Sequence, residues 1–318
     1  MSDLTLAAVA ALWGAAAGLL VPRAAYRFGV PPDQPWRDRC PEGHLIRGAV
    51  GGWLGFGRCG ECAGSGRTSS GAPDGDSRTS SGAPEGDGRM SSEAPDDGSR
   101  TASEAPEGDS RTSSEAPDDG SRSASETPKG NGGTPASSSP SYGPNTPLVS
   151  VITALICAGL ALATSTRPEL AVWLLLAPLG VLLAVVDFTV QRLPDVLTLP
   201  LAGAALVLLG AVAAVPEHAG DWLTALYGAL ALGGAYFVLF LIDPNGMGFG
   251  DVKLALGIGA VLGWYGWGVV FLGTFAGFLF GGLYGMALVV VRRAGRKTSI
   301  PFGPFLIAGA YAGLLIGA

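Results

Sequence analysis

Charged side chains are scarce in this 318-residue sequence: they make up 14% of it, whereas 48% of the residues are hydrophobic and 50 are glycines. This composition excludes an ordinary soluble domain and favours several membrane-spanning helices in a lipid bilayer. The net charge of −6 belongs to one segment, because residues 64–132 hold 14 acidic and 7 basic side chains. The membrane part is therefore nearly neutral, and we expect no nucleic-acid partner.

Cysteine is also rare, with four residues, and their placement predicts no disulfide framework. Cys157 lies inside an apolar helical stretch, where an inert buried thiol is expected. The other three, Cys40, Cys59 and Cys62, lie in a polar stretch near the N-terminus. These three thiols are candidate metal ligands.

Apart from Met90, large apolar residues are missing from residues 67–128, which form an 11-residue repeat. Arginine opens each unit, at positions 67, 78, 89, 100, 111 and 122. An 11-residue period can indicate a right-handed coiled coil, but every unit here contains proline and glycine. Such a tract cannot bury enough apolar surface to offset its ordering entropy. Residues 63–147 are therefore predicted to be a disordered linker.

The remaining sequence predicts an all-α fold with about eight transmembrane helices. Residues 1–21 form the first, residues 22–62 form a cysteine-containing loop, and residues 148–318 form a seven-helix membrane domain. The seven helices are expected near 148–165, 169–187, 196–215, 222–242, 252–264, 267–291 and 302–318. Basic residues outside the repeat concentrate in alternate loops, and the positive-inside rule makes those loops cytoplasmic.

Two carboxylates stand out because each lies at an end of an apolar helix on that cytoplasmic side. Asp251 follows Gly248-Phe-Gly250, and Asp187 closes an earlier helix. Ionisable residues at membrane helix ends are functional-site candidates, and glycines allow another backbone to approach. Two carboxyls sharing one proton can hydrolyse a peptide bond without metal or cofactor. The pattern predicts an aspartyl protease pair and leaves open which aspartate holds the proton.

These stretches together resemble the type IV prepilin peptidases, which are membrane aspartyl proteases of bacteria. The resemblance lies in Asp187, in Leu-Pro-Asp at 193–195, in residues 248–253 and in Pro-Phe-Gly-Pro-Phe at 301–305. It implies that Asp187 and Asp251 are the catalytic pair. It also implies an inner-membrane enzyme that cleaves the short basic leader of prepilin-like proteins after a glycine, at the cytoplasmic face.

Other polar residues of these motifs receive supporting roles. Asp195 comes after Pro194 and before an apolar run, so we expect it to cap a helix. Asp243 is expected to be a turn residue. Lys253 is either a positive-inside anchor or an electrostatic neighbour that tunes Asp251, and the sequence does not separate these readings. Residues 301–305 are expected to shape the entry into the last helix.

The cysteine loop departs from the family pattern of two Cys-x-x-Cys pairs. The second pair is intact as Cys59 and Cys62, but Gly43 stands where the first pair would have its second cysteine. His44 follows directly, so Cys40, His44, Cys59 and Cys62 could hold a structural zinc as a Cys₃His remnant of a zinc ribbon. The alternative is a degenerate loop with free thiols.

Members of the family often also N-methylate the new N-terminus with S-adenosylmethionine. Their N-terminal motif has an asparagine where this chain has Pro22, so that second activity is left open. Two other classes also use membrane carboxylates: other Gly-x-Gly-Asp intramembrane proteases, and small proton-coupled transporters. The Leu-Pro-Asp element argues against the first class. The second class would be supported by a repeat in the membrane part, and we find none there.

Overall fold

The computed structural model describes residues 2–31, 34–65, 142–244, 247–291 and 301–318, all within one compact unit. The repeat tract that the sequence predicts to be disordered lies outside these residues. Within them the regular secondary structure is helical, apart from one antiparallel bridge between Arg39 and Leu45. The predicted all-α class is confirmed.

The described residues form eleven helical segments. They are α1 (Asp3–Gly18), α2 (Val21–Phe28), α3 (Ala49–Gly52), α4 (Gly60–Ser65), α5 (Thr146–Thr164), α6 (Glu169–Val190), α7 (Asp195–Val212), α8 (Trp222–Ile242), α9 (Phe249–Gly263), α10 (Trp267–Val290) and α11 (Gly303–Gly317). The short α3 contains two residues with positive φ, Val50 and Gly51, and is not a regular helix.

Apolar helices occupy all eight predicted positions, but the predicted count of eight membrane spans is not confirmed. Six are long and apolar enough to cross a bilayer: α1 continued by α2, then α5, α6, α7, α8 and α10. Helices α9 and α11 contain 15 residues each. They are therefore about 22 Å long, against a hydrocarbon core of about 30 Å. The described chain is a multi-pass membrane protein in which two helices are too short to span the bilayer alone.

The helices pack mainly as neighbouring pairs, α1 with α5, α8 with α9 and α10 with α11. Helices α8 and α9 approach each other closely, because Gly228 and Gly259 face each other at their contact. A Cβ atom added to Gly228 would lie 2.5 Å from the Gly259 carbonyl oxygen. Small residues at such positions let helix backbones approach without intervening side chains. This contact fixes α9, which carries Asp251, firmly to α8.

Helix α2 lies inside the stretch that the sequence assigned to a loop. It begins at Val21 with Pro22 in its first turn, a position where proline is tolerated because the missing N–H has no helical partner. Arg23 and Arg27 are buried on this helix. Their guanidinium groups donate hydrogen bonds to the carbonyls of Leu54 (3.1 Å), Arg47 (2.6 Å) and Gly51 (2.8 Å).

The apolar side of α2 packs against the second half of α6. Val21, Ala25 and Phe28 share one hydrophobic cluster with Val181 and Val186. The two arginines therefore hold residues 47–54 against α2. Helix α2 in turn packs on α6, which carries Asp187. This arrangement places the cysteine-containing segment at the end of the bundle that carries both aspartates.

Candidate active site and metal centre

The two aspartates predicted to act as a pair line the same cavity. Asp187 lies in the last turn of α6 and Asp251 in the first turn of α9. Both are buried, with 4% and 7% of their surface exposed. The cavity has a volume of about 440 Å³. The two carboxyls are close enough to repel each other electrostatically when both are charged, which is the arrangement that favours sharing a single proton.

Asp187 is held by the backbone of the last helix. Its Oδ2 accepts a hydrogen bond from the N–H of Gly303 at 3.1 Å. Gly303 is the first residue of α11, where free N–H groups and the helix dipole favour a negative charge. A Cβ atom at this position would lie 2.8 Å from the same oxygen. The 301–305 motif thus shapes the entry into α11, as predicted, and also supports Asp187 directly.

Asp251 is positioned by the glycines before it. Gly248 is the N-cap of α9, and its carbonyl accepts the Asp251 N–H at 3.0 Å. A Cβ atom at Gly250 would lie 2.9 Å from Cβ of Leu193, so glycine lets α9 approach the segment before α7. Gly248 shows no comparable crowding, since the nearest atom to an added Cβ would be 3.7 Å away. The predicted close approach therefore applies to Gly250.

Asp195 and Lys253 form an ion pair on the cavity wall. Their Oδ1 and Nζ atoms are 2.6 Å apart, and Nζ also lies 4.7 Å from the centre of the Phe249 ring. Asp195 is not the helix cap that we expected: Pro194 occupies the N-cap of α7, and Asp195 is the first helical residue. Its carboxylate instead ties the start of α7 to α9. Asp243 is the C-cap of α8.

The four residues proposed as metal ligands come together in the loop that follows α2. The ligand atoms of Cys40, His44, Cys59 and Cys62 all lie within 4.8 Å of one another. The Cys40 and Cys62 sulfurs are 3.8 Å apart, and His44 Nδ1 lies 3.6 Å and 3.2 Å from them. Ligands about 2.3 Å from a tetrahedral ion are separated by about 3.8 Å. The four ligand atoms are thus close enough together to hold one metal ion.

Local backbone structure explains how His44 replaces the missing cysteine. The segment turns tightly at Gly43, which has a φ of +85°, and the Cys40 N–H bonds to the His44 carbonyl at 2.9 Å. Glu61 lies 4.0 Å from His44 Nε2, on the side away from the cluster. The backbone N–H of Cys62 lowers the pKa of Cys59, whereas burial and the neighbouring thiols raise the pKa of Cys62 to about 12. Bound metal would have to displace the Cys62 proton.

Sequence comparisons find that part of the chain is similar to a known peptidase family. Residues 173–286, which include both aspartates, match the type IV leader peptidase family. The chain is 34% identical over 174 residues to a prepilin leader peptidase/N-methyltransferase of Aeromonas salmonicida, covering 54% of this chain and 58% of that protein. The corresponding protein of Pseudomonas aeruginosa is 32% identical over 194 residues, covering 58% of this chain and 63% of the relative.

The chain thus spans less than two thirds of the length of these relatives. No solved structure matches it significantly.

Proposed function

We propose, from the membership of residues 173–286 in the type IV leader peptidase family, that this chain is a membrane aspartyl endopeptidase. The observation that carries the proposal is the burial of Asp187 and Asp251 on the wall of one cavity. This pairing of carboxyls from two separate helices is what peptide hydrolysis by a shared proton requires.

In the proposed reaction one carboxylate takes a proton from water, which attacks the scissile carbonyl. The other carboxyl, which is neutral, donates its proton to the carbonyl oxygen. As the C–N bond breaks, the proton taken from water passes to the leaving amine, and a hydroxyl of the intermediate returns a proton to the second carboxylate. Asp187 and Asp251 fill these two roles, and no metal takes part in the step. Gly303 and the glycines at 248 and 250 hold the two side chains in place.

The proposed substrates are prepilin-like proteins, and the cleaved bond follows the glycine that ends their basic leader. The names of the relatives and the motifs at 187, 193–195, 248–253 and 301–305 support this substrate class. The concentration of basic residues in the loops at this end of the bundle supports an active site at the cytoplasmic face of the inner membrane.

Zinc and S-adenosylmethionine have separate roles in this proposal, and neither takes part in cleavage. Zinc is the ion that best suits three thiolates and an imidazole in a tetrahedral cluster, and its role would be to fold the loop. S-adenosylmethionine would supply the methyl group for N-methylation, the second activity named in the relatives. We assign none of the described residues to it, and the proposal concerns cleavage alone.

The test is cleavage of a defined substrate by the purified full chain in detergent. A synthetic prepilin-like segment with a basic leader, a glycine and an apolar helix would be incubated with the protein, and the products identified by mass spectrometry. We expect one cut, directly after the glycine. A chain that inserts normally and leaves this segment and a panel of related ones intact would overturn the proposal.

A further inference from the structure

A second cavity lies among the membrane helices. Residues of α5, α6, α7, α9 and α11 line it, and its volume is about 410 Å³. None of the described residues on its wall is charged. Two of its few polar side chains bond elsewhere: the Thr198 hydroxyl donates to the Pro194 carbonyl at 3.5 Å, and the Trp173 N–H donates to the Tyr265 hydroxyl at 3.1 Å. The wall therefore offers mainly hydrocarbon contacts and little to bind water.

This cavity opens sideways at the end of the bundle that carries the aspartates. Ile152 of α5 and Phe188 of α6 line it and are 42% and 52% exposed, and Ala308 of α11 is exposed as well. Helices α5 and α6 are long and apolar enough to cross a bilayer, so the surface exposed there faces lipid. At the opposite end α5 and α11 touch, where Gly159 lies against the Tyr311 hydroxyl. We call this space the lateral cavity, and its mouth lies at Phe188.

The shape of the lateral cavity decides what can occupy it. Its lining on α6 extends from Phe188 to Trp173, 15 positions that correspond to about 22 Å of helix. The volume of about 410 Å³ divided by this length gives a mean cross-section of about 19 Å². An α-helix with its side chains is about 10 Å across and needs about 80 Å². An extended peptide would bury unpaired N–H and C=O groups against an apolar wall. A protein segment therefore does not suit this space.

We propose that the lateral cavity binds one acyl chain of a membrane phospholipid, which enters at Phe188 and extends toward Trp173. Carbon atoms in contact lie about 4 Å apart, so an extended hydrocarbon chain occupies about 16–20 Å². That area matches the cross-section of the cavity. Protein interiors contain few unfilled voids of such a size, and the bilayer supplies the ligand directly at the mouth. This lipid site goes beyond the proposed cleavage reaction and does not depend on it.

The first measurement is the phospholipid that the full chain retains during purification in a mild detergent, determined by native mass spectrometry. We expect about one phospholipid per chain in wild type and at least tenfold less in Gly180→Leu. Gly180 lines the cavity, and a Cβ atom added there would lie 3.6 Å from Cγ2 of Ile307, an ordinary contact. The leucine side chain thus fits and fills the space. Gly203→Leu is the matched control, because a Cβ atom added there meets no atom within 4 Å.

The second measurement is the thermal midpoint of delipidated protein after a lipid is added. Phosphatidylglycerol with palmitoyl and oleoyl chains should raise the midpoint of wild type and Gly203→Leu but not that of Gly180→Leu, because a ligand that binds only the folded chain stabilises it. Dihexanoyl phosphatidylglycerol has the same headgroup on short chains and should raise none of them. Should Gly180→Leu fail to insert, Ala308→Leu on the α11 wall takes its place.

Three outcomes would overturn the inference. Wild type purified without phospholipid does so, as does equal retention by Gly180→Leu and Gly203→Leu. Equal stabilisation by the short-chain and long-chain lipids would assign binding to the headgroup rather than to the cavity. All these readouts are independent of cleavage, so absence of cleavage by wild type would contradict the proposed function and leave the lipid site standing.

Discussion

The Asp187 carboxylate and the Gly303 N–H are hydrogen-bonded at 3.1 Å although 116 positions separate them in the chain. The bond joins the end of α6 to the beginning of α11. It depends on glycine, since an added Cβ would lie 2.8 Å from the accepting oxygen. One of the two aspartates is thus held by a backbone N–H, a donor that only a substitution by proline would remove.

The first prediction concerns this contact. Gly303→Ala should displace the Asp187 carboxylate and lower kcat/KM by about 10- to 100-fold, the range expected for losing a hydrogen bond to a charged group. Gly282→Ala is the control, because a Cβ added there meets no atom within 4 Å. Equal activity in Gly303→Ala and wild type would show that the contact is dispensable.

The aspartates themselves give a stronger prediction. Asp187→Asn and Asp251→Asn should each abolish cleavage, because an amide cannot take or give the shared proton. Mass spectrometry of a co-expressed prepilin-like protein measures the result, and membrane fractionation verifies insertion. Asp243→Asn, at the C-cap of α8, should process the substrate nearly normally. Processing by either of the first two variants would remove that residue from the pair.

The ion pair of Asp195 and Lys253 should contribute little to stability. The Lys253 side chain is 14% exposed but that of Asp195 is 63% exposed, so water screens the carboxylate and the pair should be worth about 1 kcal/mol. We expect Asp195→Asn to lower the thermal midpoint by only a few degrees and to retain most of the cleavage activity. A double-mutant cycle with Lys253→Met measures the coupling. Complete loss of cleavage in Asp195→Asn would give this carboxylate a role in the chemistry.

The metal cluster predicts bound zinc that cleavage does not use. Purified protein should contain about one zinc per chain by mass spectrometry of the metal, and Cys59→Ser should lose it. Because metal binding contributes to folding of small sites, the loop of that variant should become protease-sensitive while cleavage is reduced but retained. Cys157→Ala, buried in α5 away from the cluster, should keep its zinc. Wild type without zinc would contradict the assignment.

The repeat tract gives a prediction from sequence alone. Deleting residues 67–132 should leave cleavage within about twofold of wild type, because the tract supplies no catalytic side chain and lacks the apolar residues needed to form a core. The assay is the same co-expression experiment, with the amount of inserted protein measured in parallel. A stable, inserted deletion variant that does not cleave would show that the tract takes part in activity.

Much of the membrane fold could be predicted because hydropathy and helix ends are local properties. The helices beginning at Glu169, Asp195 and Trp222 start within a residue of their predicted positions. The pairing of Asp187 with Asp251 followed from both lying at helix ends on one side. The predicted count of eight spans is not confirmed, because α9 and α11 contain 15 residues each, fewer than a bilayer crossing usually needs.

What could not be predicted depends on contacts between distant parts of the chain. Arg23 and Arg27 are bound in the interior by carbonyls 24 and 31 positions away, and no local sequence pattern indicates such contacts. The sequence also gave Asp195 a capping role, since its partner Lys253 lies on another helix. The contact of Gly303 with Asp187 was missed for the same reason.

The contact between Gly228 and Gly259 also has a mechanical consequence. Helices that meet through side chains can slide, because each side chain changes rotamer as its neighbour passes. Here no side chain separates the two backbones, so sliding would drive a carbonyl oxygen into the opposing chain. Helices α8 and α9 are therefore expected to behave as one rigid unit that carries Asp251, while Asp187 belongs to a different helix.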